Sequence, residues 1–211
     1  MNPISFNDLS GKVCVITGGG GVIGSAMVKA MASVGVKVAI ADLNKETAER
    51  VAAEISQEYN AQVIGVEANV LDKESLIKAK AVINEKLGDI DMLINGAGGN
   101  HPTATTKVEQ MDENSLDHLE DTFYGLEMDG FDKVFALNFK GTLLPSMVFT
   151  TDMLKNKKGV VLNVSSMNSY KPLTKIPAYS AAKASINTFT EWLSVHLAKV
   201  GVRVNAIAPG F

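Results

Sequence analysis

A chain of 211 residues, 46% hydrophobic and 20% charged with a formal net charge of −3, can bury a sizeable core and fits one soluble globular domain. Mild acidity and scattered lysines leave no polybasic tract, which argues against nucleic acid or an anionic membrane surface as a partner. The single cysteine, Cys14, excludes an intramolecular disulfide framework and a cysteine-cluster metal site; no metal is expected, and no apolar stretch has the length of a bilayer span.

The first twelve residues lack the basic start and apolar run of a signal peptide, so a cytoplasmic location is expected. Residues 12–17 (KVCVIT) read as a buried strand, with Cys14 a core thiol between two valines. Residues 18–21 are all glycine and cannot hold regular structure. Helical spacing follows over 22–34, then a strand over 36–41 closed by Asp42. Asn44 is placed to cap a helix through Ala48, Val51, Ala52, Ile55 and Tyr59. A third strand over 62–66 precedes a helix capped by Asp72 and stopped by Gly88. Residues 91–95 (DMLIN) form the fourth strand. A long helical region begins at about Asp129, and Pro145 should kink it by deleting the bond to the Gly141 carbonyl. A strand from Val160, a helix bearing Tyr179 that ends near Val200, and a strand over 202–207 complete the chain. Such alternation with near-continuous apolar strands predicts an α/β fold: a doubly wound parallel sheet with helices on both faces, three layers in all, and a ligand at the strands' C-terminal ends.

The first turn fits that expectation. Gly19, Gly21 and Gly24 match the dinucleotide fingerprint G-x-G-x-x-G between a strand and a helix. Glycine lets backbone approach a pyrophosphate, and the helix N-terminus supplies N–H groups and a positive dipole end. Asp42, 18 residues after Gly24, stands where a carboxylate would bind the ribose hydroxyls of the adenosine half. The fold is therefore expected to be of the Rossmann type, with residues 1–211 as one dinucleotide-binding domain.

The chemistry concentrates in residues 160–183, VVLNVSSMNSYKPLTKIPAYSAAK. Ser165 and Ser166 end an apolar strand, and Tyr179 and Lys183, four apart, share one face of a helix. A free tyrosine with a pKa of about 10 is a poor base near neutrality, and a fixed cation favours its phenolate. Such a phenol can exchange a proton with an alcohol or carbonyl oxygen while a serine hydroxyl holds the same atom. This equipment suits the interconversion of an alcohol and a ketone.

In order, Thr17, Gly18 to Gly24, Asp42, Asn95-Gly-Ala-Gly98, Asn138, Ser166, Tyr179-x-x-x-Lys183 and Pro209-Gly210 resemble the marks of the short-chain dehydrogenase/reductase family over nearly the whole chain. The resemblance implies that Tyr179 is the general acid/base, that Lys183 lowers its pKa and holds the nicotinamide ribose, that Ser166 positions the substrate oxygen, and that Asn138 supports a water-linked proton relay. Ser166 is preferred to Ser165 because it precedes Tyr179 by 13 residues, the family's common spacing. The cofactor implied is NAD, along Gly18, Gly20, Gly21, Val22, Ile23 and Gly24, with Asp42 and Leu43, Asn69 and Val70, Asn95, Gly96, Ala97 and Gly98, Tyr179 and Lys183, and Pro209 and Gly210. A small-molecule substrate and a homo-oligomer, dimer or tetramer, paired through the Phe131 and Tyr179 helices are also implied.

The chain departs from the family pattern in places. Val22 replaces the middle glycine of the first motif, Gly96 replaces the second asparagine of N-N-A-G, and Asn69 stands where an aspartate is usual. Forty positions separate Gly98 from Asn138, more than usual. The extra segment, about 99–128, could cover the substrate or be a surface excursion that helps oligomer contacts; His101 and His118 within it specify no metal site. Family members normally continue past the proline–glycine pair into a substrate loop, so part of the specificity pocket is expected to lie beyond Phe211. The glycine turn, the G-G-N-H-P that follows the fourth strand and the long insert look like a branch of D-mannonate oxidoreductases (fructuronate reductases) and gluconate 5-dehydrogenases, which implies a sugar acid or polyol as substrate. A non-catalytic redox sensor is the competing reading, and a complete Ser–Tyr–Lys set argues against it.

Overall fold

The computed structural model describes residues 6–210. Strands β1 (Val13–Thr17), β2 (Lys37–Asp42), β3 (Val63–Glu67), β4 (Met92–Asn95), β5 (Gly159–Val164) and β6 (Val202–Ile207) form one parallel sheet in the order β3-β2-β1-β4-β5-β6. Between them run α1 (Val22–Ser33), α2 (Lys45–Tyr59), α3 (Lys73–Lys86), α4 (Met128–Phe135), α5 (Gly141–Asn156) and α6 (Pro177–Leu197). The strand order reverses direction between β1 and β4, and that switch opens a crevice beyond the C-terminal strand ends. There the register sets Thr17 beside Asn95 and Asn95 beside Asn163.

Both faces of the sheet are covered at the central strands β1 and β4, which are buried throughout, whereas Arg203 and Asn205 of the edge strand β6 are exposed. Alternate residues serve opposite faces. Val13 and Val15 pack with Leu76 and Ile83 of α3, Phe149 and Met153 of α5, and Leu193 of α6. Cys14 and Ile16 pack with Val28 and Ala32 of α1 and with Val51 and Ile55 of α2. Burial pushes the Cys14 thiol up to about 12, so it is an inert core group, as its flanks suggested. The expected caps form: Asn44 Oδ1 accepts from Thr47 N at 2.9 Å, and Asp72 Oδ1 from Glu74 N at 2.9 Å. Among the described residues no helix is long and apolar enough to cross a membrane.

The helix that carries Pro145 also leaves α geometry upstream of it. Pro145 lies inside α5, and the departure is a π turn at Ala136–Lys140 that joins α4 to α5. Asn138, at its centre, donates from Nδ2 to Val134 O at 2.8 Å, the carbonyl its own N–H would take in a regular α-helix. A side chain inserted into the ladder in this way accounts for the wider turn. The segment 99–128 holds four short 3-10 turns. Its first part is anchored, with Ala104 buried against Val134, Ala178 and Ala182, and Thr106 N donating to Lys175 O. Leu116, Phe123, Tyr124 and Met128 are exposed.

Candidate active site

The turn after β1 is shaped by contacts that only glycine allows. Gly18 has φ +65, and a Cβ there would lie 2.9 Å from Ala97 Cα, so the loops after β1 and β4 touch. A Cβ on Gly24 would lie 2.2 Å from Gly18 O, which fixes α1 directly against the turn. The N-cap of α1 is Gly21, with no side chain to occupy the helix N-terminus. Val22, Ile23 and Leu43 present exposed apolar side chains along this edge. Asp42 is braced by two backbone donors, Gly20 N to Oδ2 at 3.1 Å and Asn44 N to Oδ1 at 3.2 Å. A bare helix N-terminus, a close backbone cradle and a fixed carboxylate at the end of β2 fit the pyrophosphate and adenosine ribose of a dinucleotide.

The other residues expected along the cofactor divide between this surface and its supports. Asn69 is folded into a turn, its Oδ1 accepting from Leu71 N at 2.9 Å. Val70 packs beneath, where a Cβ on Gly141 would lie 3.0 Å from Val70 Cγ2. The Asn95 side chain is buried and faces away from the crevice: Nδ2 donates to Ser146 Oγ at 2.9 Å and to Asn163 Oδ1 at 2.8 Å, and Asn163 Nδ2 donates to Thr190 Oγ1 at 2.8 Å. This polar chain ties β4 and β5 to α5 and α6. Thr17 Oγ1 accepts from Gly96 N and Ala97 N at 3.1 and 3.2 Å. A Cβ on Gly98 would lie 2.6 Å from Asn138 Oδ1 and 3.1 Å from Lys183 Nζ, so the loop passes directly over both.

The reactive groups meet where β5 and α6 converge. Pro177 opens α6 at a position suited to its fixed φ. Ala178 and Ala182 bury their small side chains, and Tyr179 is half-buried. Lys183 is 4% exposed; its Nζ donates to Val164 O at 2.7 Å and lies 5.6 Å from the centroid of the Tyr179 ring. Burial lowers its pKa to about 8, so the ammonium remains the main form at neutral pH. Asn138 grips Gly99 from both sides, donating to its carbonyl at 2.7 Å and accepting from its N–H at 3.3 Å.

The two serines are used differently. Ser165 Oγ is turned into a network with Asn187 Oδ1 at 2.6 Å and Lys183 O at 3.2 Å. Ser166 Oγ accepts from Asn168 N at 3.2 Å. A cavity of about 410 Å³ is lined by both serines and Tyr179, by Ile23 from the glycine turn, and by Pro209 and Gly210. Asn100, from the G-G-N-H-P stretch, also lines it, as do Asn168, Leu173 and Ile176, which were not singled out from the sequence. Of the long insert, Asn100 alone borders this cavity. His101 Nδ1 lies 3.0 Å from Thr103 Oγ1, and His118 pairs with Glu120 at the surface. Among the described residues no cluster of ligating side chains could hold a metal.

Known proteins agree with this geometry. The sequence profile of the short chain dehydrogenases matches residues 12–211. The uncharacterized oxidoreductase UxuB of Bacillus subtilis (strain 168) is 48% identical over 211 residues, which span this whole chain and 74% of UxuB. An uncharacterized oxidoreductase of Haemophilus influenzae is 46% identical over the same length, 73% of that protein. Among solved structures, a candidate D-mannonate oxidoreductase from Haemophilus influenzae with bound NAD superposes with a TM-score of 0.88 at 45% identity, over 96% of this chain and 72% of that one. An NAD+-bound xylitol dehydrogenase gives 0.83 at 28% identity, over 96% of this chain and 71% of that one. Profile, relatives and superpositions all span nearly the whole of the chain, which belongs to the short chain dehydrogenase family.

Proposed function

We propose that the protein is an NAD-dependent oxidoreductase that interconverts a secondary alcohol and a ketone on a sugar acid or polyol. The observation that carries this reading is one cavity in which Ser166, Tyr179 and Ile23 of α1 converge. Bound NAD supplies the hydride acceptor or donor. The Tyr179 hydroxyl moves the proton at the substrate oxygen, and the Ser166 hydroxyl holds that oxygen by a hydrogen bond. Lys183 sets its charge beside the Tyr179 ring, and Asn138 holds the Gly98–Gly99 backbone against it. Asn100 and Asn168 are polar residues among the cavity lining, which suits hydroxyl groups as partners. Relatives described as a candidate D-mannonate oxidoreductase and a xylitol dehydrogenase support the same substrate class. Specificity constants with D-mannonate, gluconate and xylitol should exceed those with simple apolar alcohols; the reverse order would remove the substrate assignment.

We propose a homo-oligomer and a cytoplasmic location as well. Trp192 and Val195 of α6 and Met147 and Leu154 of α5 are exposed apolar side chains, on helices whose inner faces already fill the core. A two-fold contact through these helices would cover them with their own copies. Light scattering at micromolar concentration should give a dimer or tetramer, and a monomer alone would count against it.

A further inference from the structure

Asn187 is not among the residues that carry proton or hydride chemistry, yet it lies two helical turns beyond Tyr179 and one beyond Lys183 on the same face of α6. Its amide is held at both ends. Ser165 Oγ donates to Asn187 Oδ1 at 2.6 Å, and Asn187 Nδ2 donates to Ser169 Oγ at 2.9 Å. Ser169 Oγ in turn donates to the carbonyl of Ser166 at 2.6 Å. Ser165 Oγ also lies 3.2 Å from Lys183 O and 3.3 Å from Ser169 Oγ, but its shortest contact is with Asn187 Oδ1, and with that bond made the three form one circuit with a single consistent direction. That circuit grips the backbone on either side of Ser166: the preceding residue through its hydroxyl, and Ser166 itself through its carbonyl. Ser166 is extended, with φ −159 and ψ 153, and opens the 3-10 turn Met167–Ser169. No other side chain of α6 reaches this turn among the hydrogen bonds of the described residues.

We propose that Asn187 is a positioning residue that sets the Ser166 hydroxyl relative to Tyr179. Tyr179 and Ser166 come from a helix and from the loop after a strand, and their hydroxyls must meet on one substrate oxygen. Asn187 links that loop to the helix that carries the tyrosine, so the distance between the two groups is fixed within one rigid unit. An error of about 1 Å in such a placement can cost on the order of a hundredfold in rate. The inference rests on the function proposed above for Ser166.

The test is a double-mutant cycle with Asn187→Leu and Ser166→Ala, read with NAD and either D-mannonate or xylitol, beside a crystal structure of Asn187→Leu. Asn187→Leu should lower kcat by roughly ten- to a hundredfold with little change in NAD affinity. In the Ser166→Ala background it should have almost no further effect, because its action passes through that hydroxyl. Asn187→Asp keeps the acceptor for Ser165 and loses the donor to Ser169, so it should fall between; it replaces the leucine variant in the cycle if the latter does not fold. The crystal structure should show Ser166 displaced while Tyr179 and Lys183 stay in place. Wild-type kcat in a folded variant, an equal loss in both backgrounds, or an unmoved Ser166 would overturn the proposal. If the parent protein turns over neither substrate, or Ser166→Ala is as active as the parent, the reading of the site fails separately, and the position of Ser166 in the variant crystal still decides the role of Asn187.

Discussion

Tyr179→Phe is expected to lower turnover by at least about 10²–10⁴-fold, the range that general acid–base catalysis contributes, while NAD still binds. The phenyl ring would fill the same half-buried position at the start of α6 and keep its face toward Lys183, whose Nζ lies 5.6 Å from the ring centroid. Only the oxygen that exchanges the proton is removed. Ser166 cannot replace it, since a serine hydroxyl in this setting can donate a hydrogen bond but is a weak acid and base. Steady-state kinetics would show the loss in kcat, and calorimetric titration with NAD would show retained affinity. Near-native turnover would rule out Tyr179 as the proton-transfer group. The lysine beneath makes the comparison clean. Its charge is held in a buried site, where burial has brought its pKa down to about 8, and the substitution leaves its bond to Val164 O untouched.

The fold was legible because a parallel sheet covered on both faces demands near-continuous apolar strands, and residues 12–17, 36–41 and 160–164 show them with few polar residues among them, such as Lys37 and Asn163. Helix caps were legible for a local reason: Asn44 and Asp72 bond to N–H groups two or three residues away, with no help from the rest of the fold. The glycine turn could be read because close approach of backbone leaves a mark in composition, here Gly18 against Ala97 and Gly24 against Gly18. What escaped depends on tertiary contacts. The π turn at Ala136–Lys140 arises from an Asn138 amide shared between Val134 and Gly99, and Gly99 is 39 residues away in sequence. Pro145 drew attention as the usual helix breaker, but it follows a stretch already displaced from α geometry. The strut role of the Asn95 side chain was not legible, because its partners Ser146 and Asn163 arrive from later elements. Asn187 is one of many polar residues on a helix, and its spacing from Tyr179 and Lys183 was the one signal that could have found it. The insert at 99–128 carries no helical or strand period, and its 3-10 turns follow local side-chain caps such as Asp112 on Ser115.

NAD is expected to be preferred over NADP by at least about a hundredfold. Asp42 closes β2 with its carboxylate fixed by Gly20 N and Asn44 N, and a Cβ on Gly20 would lie only 3.0 Å from Asp42 Oδ2, so the turn and the acid form one unit. A carboxylate in this place accepts hydrogen bonds from both adenosine ribose hydroxyls. The 2′-phosphate of NADP would instead set about two negative charges against it. A nearby cation could offset that repulsion. The turn is all glycine from Gly18 to Gly21, and Leu43, the residue after Asp42, is an exposed apolar side chain. Lys45 begins α2, and its Nζ lies 3.8 Å from Glu49 Oε1 on its own helix. That exposed pair is weak and could be broken by a phosphate, which makes Lys45 the residue on which the prediction turns. Like-charge juxtaposition costs several kcal/mol, and each ~1.4 kcal/mol is tenfold, so a modest contribution from Lys45 still leaves the hundredfold margin. Titration with each dinucleotide gives the ratio of dissociation constants without any substrate, and specificity constants give it again in turnover. Asp42→Ala should narrow the ratio mainly by weakening NAD. Lys45→Ala should leave NAD affinity unchanged. Equal constants for the two dinucleotides in the parent protein, with NADP affinity lost in Lys45→Ala, would show that Lys45 reaches the phosphate and that the carboxylate of Asp42 does not set the choice.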